Sequence, residues 1–126
     1  MSLLHSKTYI ASGAIADRRI VRPHAANAGQ VVLAAAATES LLGIVNQPRG
    51  VVNGERVDVV HIGETLCEAG AAFAAGALIT ADATGRAIVA APAAGVNNRV
   101  VGVALEAATA AGDLTRILIS PCMLQG

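Results

Sequence analysis

The side chains weighed first for chemistry are the histidines His5, His24 and His61, the serines Ser12, Ser40 and Ser120, the cysteines Cys67 and Cys122, and the acids Glu64 and Glu68. The histidines show neither His-x-His nor His-Glu-x-x-His spacing, which would present two imidazoles to one ion, so no metal site is expected. No Gly-x-Ser-x-Gly elbow surrounds a serine, and no motif sets a base beside one. Glu64 and Glu68 stand four positions apart, as a general acid and base on one helical face would. Gly63 and Gly70 flank them, however, and a solvated loop is the expected setting. The two cysteines form no Cys-x-x-Cys pair and have no histidine nearby, so both are expected to be small buried apolar residues rather than a disulfide or a nucleophile. The Gly-rich segments 50–54 and 95–98 match neither a dinucleotide fingerprint nor a phosphate loop, and read as turns. Lys7 is the single lysine, which excludes a swinging-arm carrier domain with its lysine at a hairpin tip. The expectation is a chain with no catalytic residue, cofactor or metal. The competing enzymatic reading is a site between subunits built from Arg56, His61 and Glu64.

Composition narrows the class further. A chain of 126 residues fits one domain. Nine basic residues offset nine acidic ones and charged residues make up 14%, so no field favours a nucleic acid or an anionic membrane. Tyr9 and Phe73 are the only aromatics, which removes the stacking platforms of RNA and single-strand readers. The 54% apolar content includes 28 alanines, and alanine buries little area. Part of the stability is therefore expected from oligomerisation or from docking on a partner. The weakly polar stretch 69–81 is well short of the roughly 20 residues a bilayer needs. Residues 1–9 lack the hydrophobic run of a secretory signal, so synthesis and residence in a cytoplasm are expected.

The elements that would position these residues are mostly strands. Residues 1–28 hold Lys7, Arg18, Arg19 and Arg22 against the single acid Asp17, and their apolar residues keep no sustained period. They read as an extended N-terminal arm with one strand over 18–22, beside a body over 29–126. In the body, short β-prone runs at 30–33, 43–45, 56–62, 78–80, 87–90, 100–105 and 115–120 are separated by Gly, Asn and Asp. Asn53-Gly54 and Thr84-Gly85 signal tight turns, the second as a hairpin. Over 56–62, Val57, Val59 and His61 fall on one face, and Arg56, Asp58, Val60 and Ile62 on the other. The alanine-rich windows 34–42 and 68–77 are closed or interrupted by glycine and hold at most one or two helical turns each. A weak repeat relates 28–34 to 75–81, 42–45 to 101–104, and 55–60 to 113–119. The fold class expected is all-β, a small β-sandwich or β-barrel with the N-terminal arm, in which two similar halves pair into one body.

The C-terminal half carries a family resemblance. Ala75-Gly76-Ala77-Leu78-Ile79-Thr80-Ala81-Asp82-Ala83-Thr84-Gly85-Arg86-Ala87, then Val101-Gly102-Val103-Ala104-Leu105-Glu106-Ala107-Ala108, then Ala111-Gly112-Asp113, resemble the capsid decoration, or cement, proteins of tailed bacteriophages. The resemblance covers residues 69–120, more weakly 29–62, and rests mainly on Gly102, Ala104, Glu106, Ala107 and the Gly112-Asp113 turn. It implies a structural virion protein on the outer surface of an icosahedral capsid, made in the host bacterial cytoplasm, that stabilises the shell by bridging major capsid protein subunits. It also implies a homo-oligomer, with a trimer favoured and a dimer compatible. The alternative is another phage structural protein, a tail-tube or head-completion component. The residues expected to touch the capsid or a neighbouring subunit are Lys7, Tyr9, Arg18, Arg19 and Arg22, with Leu3, Leu4 and Ile10 as apolar anchors.

Overall fold

The computed structural model describes residues 5–126, and among these there are nine strands and no helix. They are β1 (His5–Ala11), β2 (Ile20–Pro23), β3 (Gln30–Leu33), β4 (Gly43–Val45), β5 (Arg56–Glu68), β6 (Leu78–Ala81), β7 (Ala87–Val89), β8 (Asn97–Ala104) and β9 (Leu114–Gln125). The strands follow the order β1-β3-β2-β4-β5-β9-β8-β6-β7, and β1 also pairs with β5. That extra pairing closes β1, β3, β2, β4 and the first half of β5 into a five-stranded barrel. The all-β fold expected from the sequence is the fold observed, and the alanine-rich windows contain turns and bends instead of helical turns.

The second half of the chain repeats the first, strand for strand. The parallel pairing of β1 with β3 corresponds to the parallel bridge Ala69–Ala87, which closes a second ring made of the end of β5, β7, β6, β8 and β9. Ile20–Ile44 corresponds to Leu78–Val103, Ile44–Val60 to Val103–Leu118, and Val45–Val59 to Ala104–Ile117. The isolated bridge Ile15–Val51 corresponds to Phe73–Ala108. The repeat expected from sequence places 43–45 and 55–60 correctly. Its first segment is out of phase, because β6 is the counterpart of β2 and not of β3. Each half closes its own ring, so the two halves do not pair into one.

Gly63, with φ of 99°, sits where β5 leaves the first ring and enters the second. A strand that serves two rings must turn sharply, and glycine reaches this left-handed conformation without a Cβ penalty.

Side-chain volume is conserved between the rings while side-chain identity is not. The first core holds Ala11, Ile15, Val21, Val31, Val45, Val51, Val57 and Val59. At the equivalent places the second holds Ala69, Phe73, Ile79, Ala87, Ala104, Ala108, Thr115 and Ile117. The extra atoms of Phe73, Ile79 and Ile117 are offset by three Val-to-Ala exchanges, as close packing requires. This explains why the only phenylalanine lies in the half richest in alanine.

Residues 5–28, expected as an arm beside the body, are extended but lie inside it. β1 and β2 are woven into the first ring, and Ala11, Ile15, Ile20 and Val21 are buried. Their apolar residues lack a simple period because neighbours serve different cores. Ile20 faces the second cluster and Val21 the first. Ile44 and Val45, and Val60 and Val59, divide in the same way, so Val60 is buried rather than solvent-facing. Strands covered on both faces read as continuous apolar runs.

Candidate functional site

The acids are the first place to look for reactive groups, and every one of the nine is committed to the fold. Asp17 accepts the Gln47 N–H, Glu39 those of Ala35 and Ala36, and Glu55 that of Val52. Glu106 accepts the Arg116 N–H, Asp113 those of Thr109 and Ala110, and Asp58 the Thr8 hydroxyl. Asp82 spans the β6–β7 hairpin, taking N–H bonds from Thr84 and Arg86 at 2.9 Å each. Burial alone would raise its pKa, but these bonds, the Thr84 hydroxyl and the Arg86 charge outweigh it, and its carboxyl is held below the ordinary value. Glu64 and Glu68 belong to β5 and not to a loop. Glu64 meets Arg116 at 3.3 Å, and Glu68 meets Arg19 at 3.3 Å and Arg86 at 3.8 Å.

His61 is hydrogen-bonded to the Tyr9 hydroxyl through Nε2 at 2.9 Å, with the two rings stacked at 5.4 Å. Glu64 and His61 thus have different partners, Arg116 and Tyr9, and do not form an acid–imidazole pair. Cys67 is buried, and burial pushes its thiol up to about 12, which removes it as a nucleophile at neutral pH. Cys122, expected to be buried, is exposed on the ribbon where β8 and β9 run past the second ring. Beyond Ser120 the tail of β9 pairs only with β8, so neither ring covers it. Among the described residues no group of three metal-ligating side chains converges.

The expected contact residues fall into two groups. Leu3 and Leu4 lie outside the described residues. Lys7 and Tyr9 stand on β1 with His5, at the open end of the first ring, where His61 joins them. The Lys7 ammonium lies 5.4 Å from the centre of the Tyr9 ring. Burial first, then the His5 and Lys7 charges, lower the His61 pKa. Ile10, half-buried, pairs with Arg56 on β5.

The arginines stand elsewhere, at the seam between the rings or within the first. Arg18 donates to the Thr65 hydroxyl at 3.1 Å, and its backbone carbonyl accepts the Glu68 N–H. It holds a φ of 61° where its counterpart in the second ring is Gly76, also left-handed. Arg19 donates to the Thr84 carbonyl at 2.8 Å and pairs with Glu68. Arg22 meets Glu39 at 2.8 Å. Basic residues gathered in sequence at the N-terminus therefore separate in space, and two of them staple one ring to the other.

Sequence reasoning missed a second surface. Leu114 and Leu118 point outward from β9 at 55% and 41% exposure, with Leu105 beside them also exposed. The signal was present in 114–119, where apolar residues occupy both faces of one strand. The residues that carry the family resemblance are scaffold. A Cβ on Gly102 would meet the Leu118 carbonyl oxygen, Ala104 is in the core, and Glu106 and Asp113 tie down loops.

Shallow depressions mark the described surface. One of about 290 Å³ lies at the ribbon between Leu41, Arg99 and Cys122, and one of about 340 Å³ between Arg22, His24 and Glu39. The second also has Ser40 in its lining, but among the described residues no hydrogen bond joins its hydroxyl to His24, whose Nδ1 accepts the Ala26 and Asn27 N–H groups. With the acids engaged in turns, loops and ion pairs, the described structure offers surfaces suited to making contacts.

Comparison with known proteins agrees with that character. The model of the phage cement protein family matches residues 10–120. No curated protein sequence matches the chain. Among solved structures, the N base of the head fiber protein gp8.5 of bacteriophage phi29 superimposes with a TM-score of 0.67 at 20% identity. The match covers 94% of this chain and 95% of that one, which makes the two folds alike.

Proposed function

The chain belongs to the phage cement protein family, and on that premise we propose that it binds the outer surface of an icosahedral phage capsid and stabilises it by bridging major capsid protein subunits. The observation that carries this reading is the extent of the family match, which spans both rings and leaves out only the ends of the chain. The use made of the acids supports a non-enzymatic role, since each one is already engaged in a turn, a loop, a hydrogen bond between strands or an ion pair. A cement protein needs no turnover. It needs a rigid body and contacts repeated over many copies, whose effects multiply through avidity.

In this reading the protein acts as a homo-oligomer, with a trimer at local three-fold positions favoured. Lys7, Tyr9 and Ile10, with Leu3 and Leu4 before them, are the contact candidates toward the capsid or a neighbouring subunit. Arg18, Arg19 and Arg22 contribute mainly by holding the body together, because their guanidinium groups are already engaged.

Co-sedimentation of the purified protein with mature capsids and with empty precursor shells tests the proposal. Saturable binding at a fixed ratio to the major capsid protein is the expected result, and the ratio distinguishes two-fold from three-fold sites. Absence of binding to either shell, with rings or tubes formed by the free protein, would move the assignment to a tail or head-completion component.

A further inference from the structure

The internal duplication allows each surface of one ring to be compared with the same surface of the other. On the first ring an outward row runs across neighbouring strands through Val60, Ile44, Ile20 and Ala34. All four are fully buried, in one cluster with Cys67, Val101 and Ile119 of the second half. The second ring is what covers them. The equivalent row on the second ring is Leu118, Val103, Leu78 and Ala90. It is apolar too, yet Leu118 is 41% exposed and Val103 and Leu78 are half-buried, with Ala90 alone buried. One face of a repeated unit is thus covered within the chain, and its copy is left open along Leu118, Val103 and Leu78.

We propose that this open row is covered by the first ring of a second copy of the chain, docked head to tail. The inference rests on the homo-oligomer part of the proposed function and names its surface. Two observations select the occupant. The cover over the equivalent row inside the chain is a ring of this same fold, presenting an end lined by Thr65, Cys67 and Ile119. Among the described residues nothing covers the counterpart of that end on the first ring, which carries Lys7, Tyr9 and His61 at the matching positions. The second observation is charge. The free end carries the Lys7 ammonium, and the open row is bordered by Glu64 and Glu106, with Arg116 between them paired to Glu64. The stacked Tyr9 and His61 rings supply a flat surface for Leu118 and Val103, the aromatic-on-aliphatic contact common at interface centres. A contact between unlike faces is heterologous, so its repetition closes a ring or grows a chain.

Light scattering after size exclusion, on the full chain without capsids, reads the outcome. The wild type is expected to run larger than a monomer. Leu118→Glu, and independently Leu114→Glu beside it, should weaken association by about tenfold or more. The double variant His5→Glu, Lys7→Glu should do the same from the other face. All these side chains are exposed, and unchanged circular dichroism and melting temperature verify that the fold is intact. Mixing Leu118→Glu with the double variant should produce a dimer of one of each, because each partner keeps one sound face. Leu118→Glu assembling like the wild type, or a mixture that stays monomeric, would overturn the inference alone. A monomeric wild type would overturn it together with the homo-oligomer reading, while the co-sedimentation result would still judge capsid binding separately.

Discussion

At the scale of single residues, polar side chains in this protein serve the backbone. Asp82 is the clearest case, because one carboxylate receives two N–H groups, a hydroxyl and a guanidinium across a single hairpin. Asp82→Ala should cost about 1 to 2 kcal/mol, as expected when several backbone donors lose a charged acceptor. Its pH dependence has a definite sign. The folded-state pKa lies below the ordinary carboxylate value, so the stabilisation is complete above about pH 4 and is lost as the pH falls through the lower folded value. Urea denaturation of wild type and Asp82→Ala between pH 7 and pH 2 should show the two stabilities converging at the acid end. A constant gap would mean that the charge is not what Asp82 contributes.

At the scale of elements, glycine is demanded for two different reasons. In β8, Gly102 is needed because a Cβ there would meet the Leu118 carbonyl on β9, and Gly43 in β4 stands against the Val60 carbonyl in the same way. These are equivalent positions of the repeat, so close strand approach is a property of the unit. Gly54 is needed only for its φ of 87°, with open space around it. Gly102→Ala should therefore cost more, roughly 2 to 4 kcal/mol through displaced backbone, against about 1 kcal/mol for Gly54→Ala through conformational strain alone. Chemical denaturation of the two variants side by side checks the order. Equal losses would remove the steric account of Gly102.

At the scale of the whole molecule, the rings share β5, one buried cluster spanning both, and the Arg19–Glu68–Arg86 ion pairs. They should melt as one unit. Tyr9 is the only tyrosine, the chain has no tryptophan, and Tyr9 lies in the first ring, whereas Phe73 lies in the core of the second. Phe73→Leu removes volume from the second core and should cost about 1 to 2 kcal/mol. The matching shift should appear in Tyr9 fluorescence as well as in circular dichroism. A Tyr9 transition that stays put while the rest moves would mean that the rings unfold independently.

The amino-acid sequence by itself determined the class and most of the local structure. The runs at 30–33 and 43–45 became β3 and β4 unchanged, and Thr84-Gly85 became the β6–β7 turn, because turn chemistry and β-propensity act over a few residues. The family was legible too, through the spacing of small and turn residues around Gly102 and Gly112-Asp113. The fate of residues 5–28 was not legible, since Ile20 and Val21 serve opposite cores and produce no period until both cores exist. The true phase of the repeat was hidden for a related reason. Packing conserves volume, so Ile15 and Val51 can become Phe73 and Ala108 with no residue in common. Tertiary structure alone decided which charges are available. Arg18 and Arg19 look like free cations in a basic segment, and only closure of the second ring brings Thr65 and Glu68 against them. The row of Leu118, Val103 and Leu78 gathers residues far apart in the chain, and strand pairing alone makes it one surface.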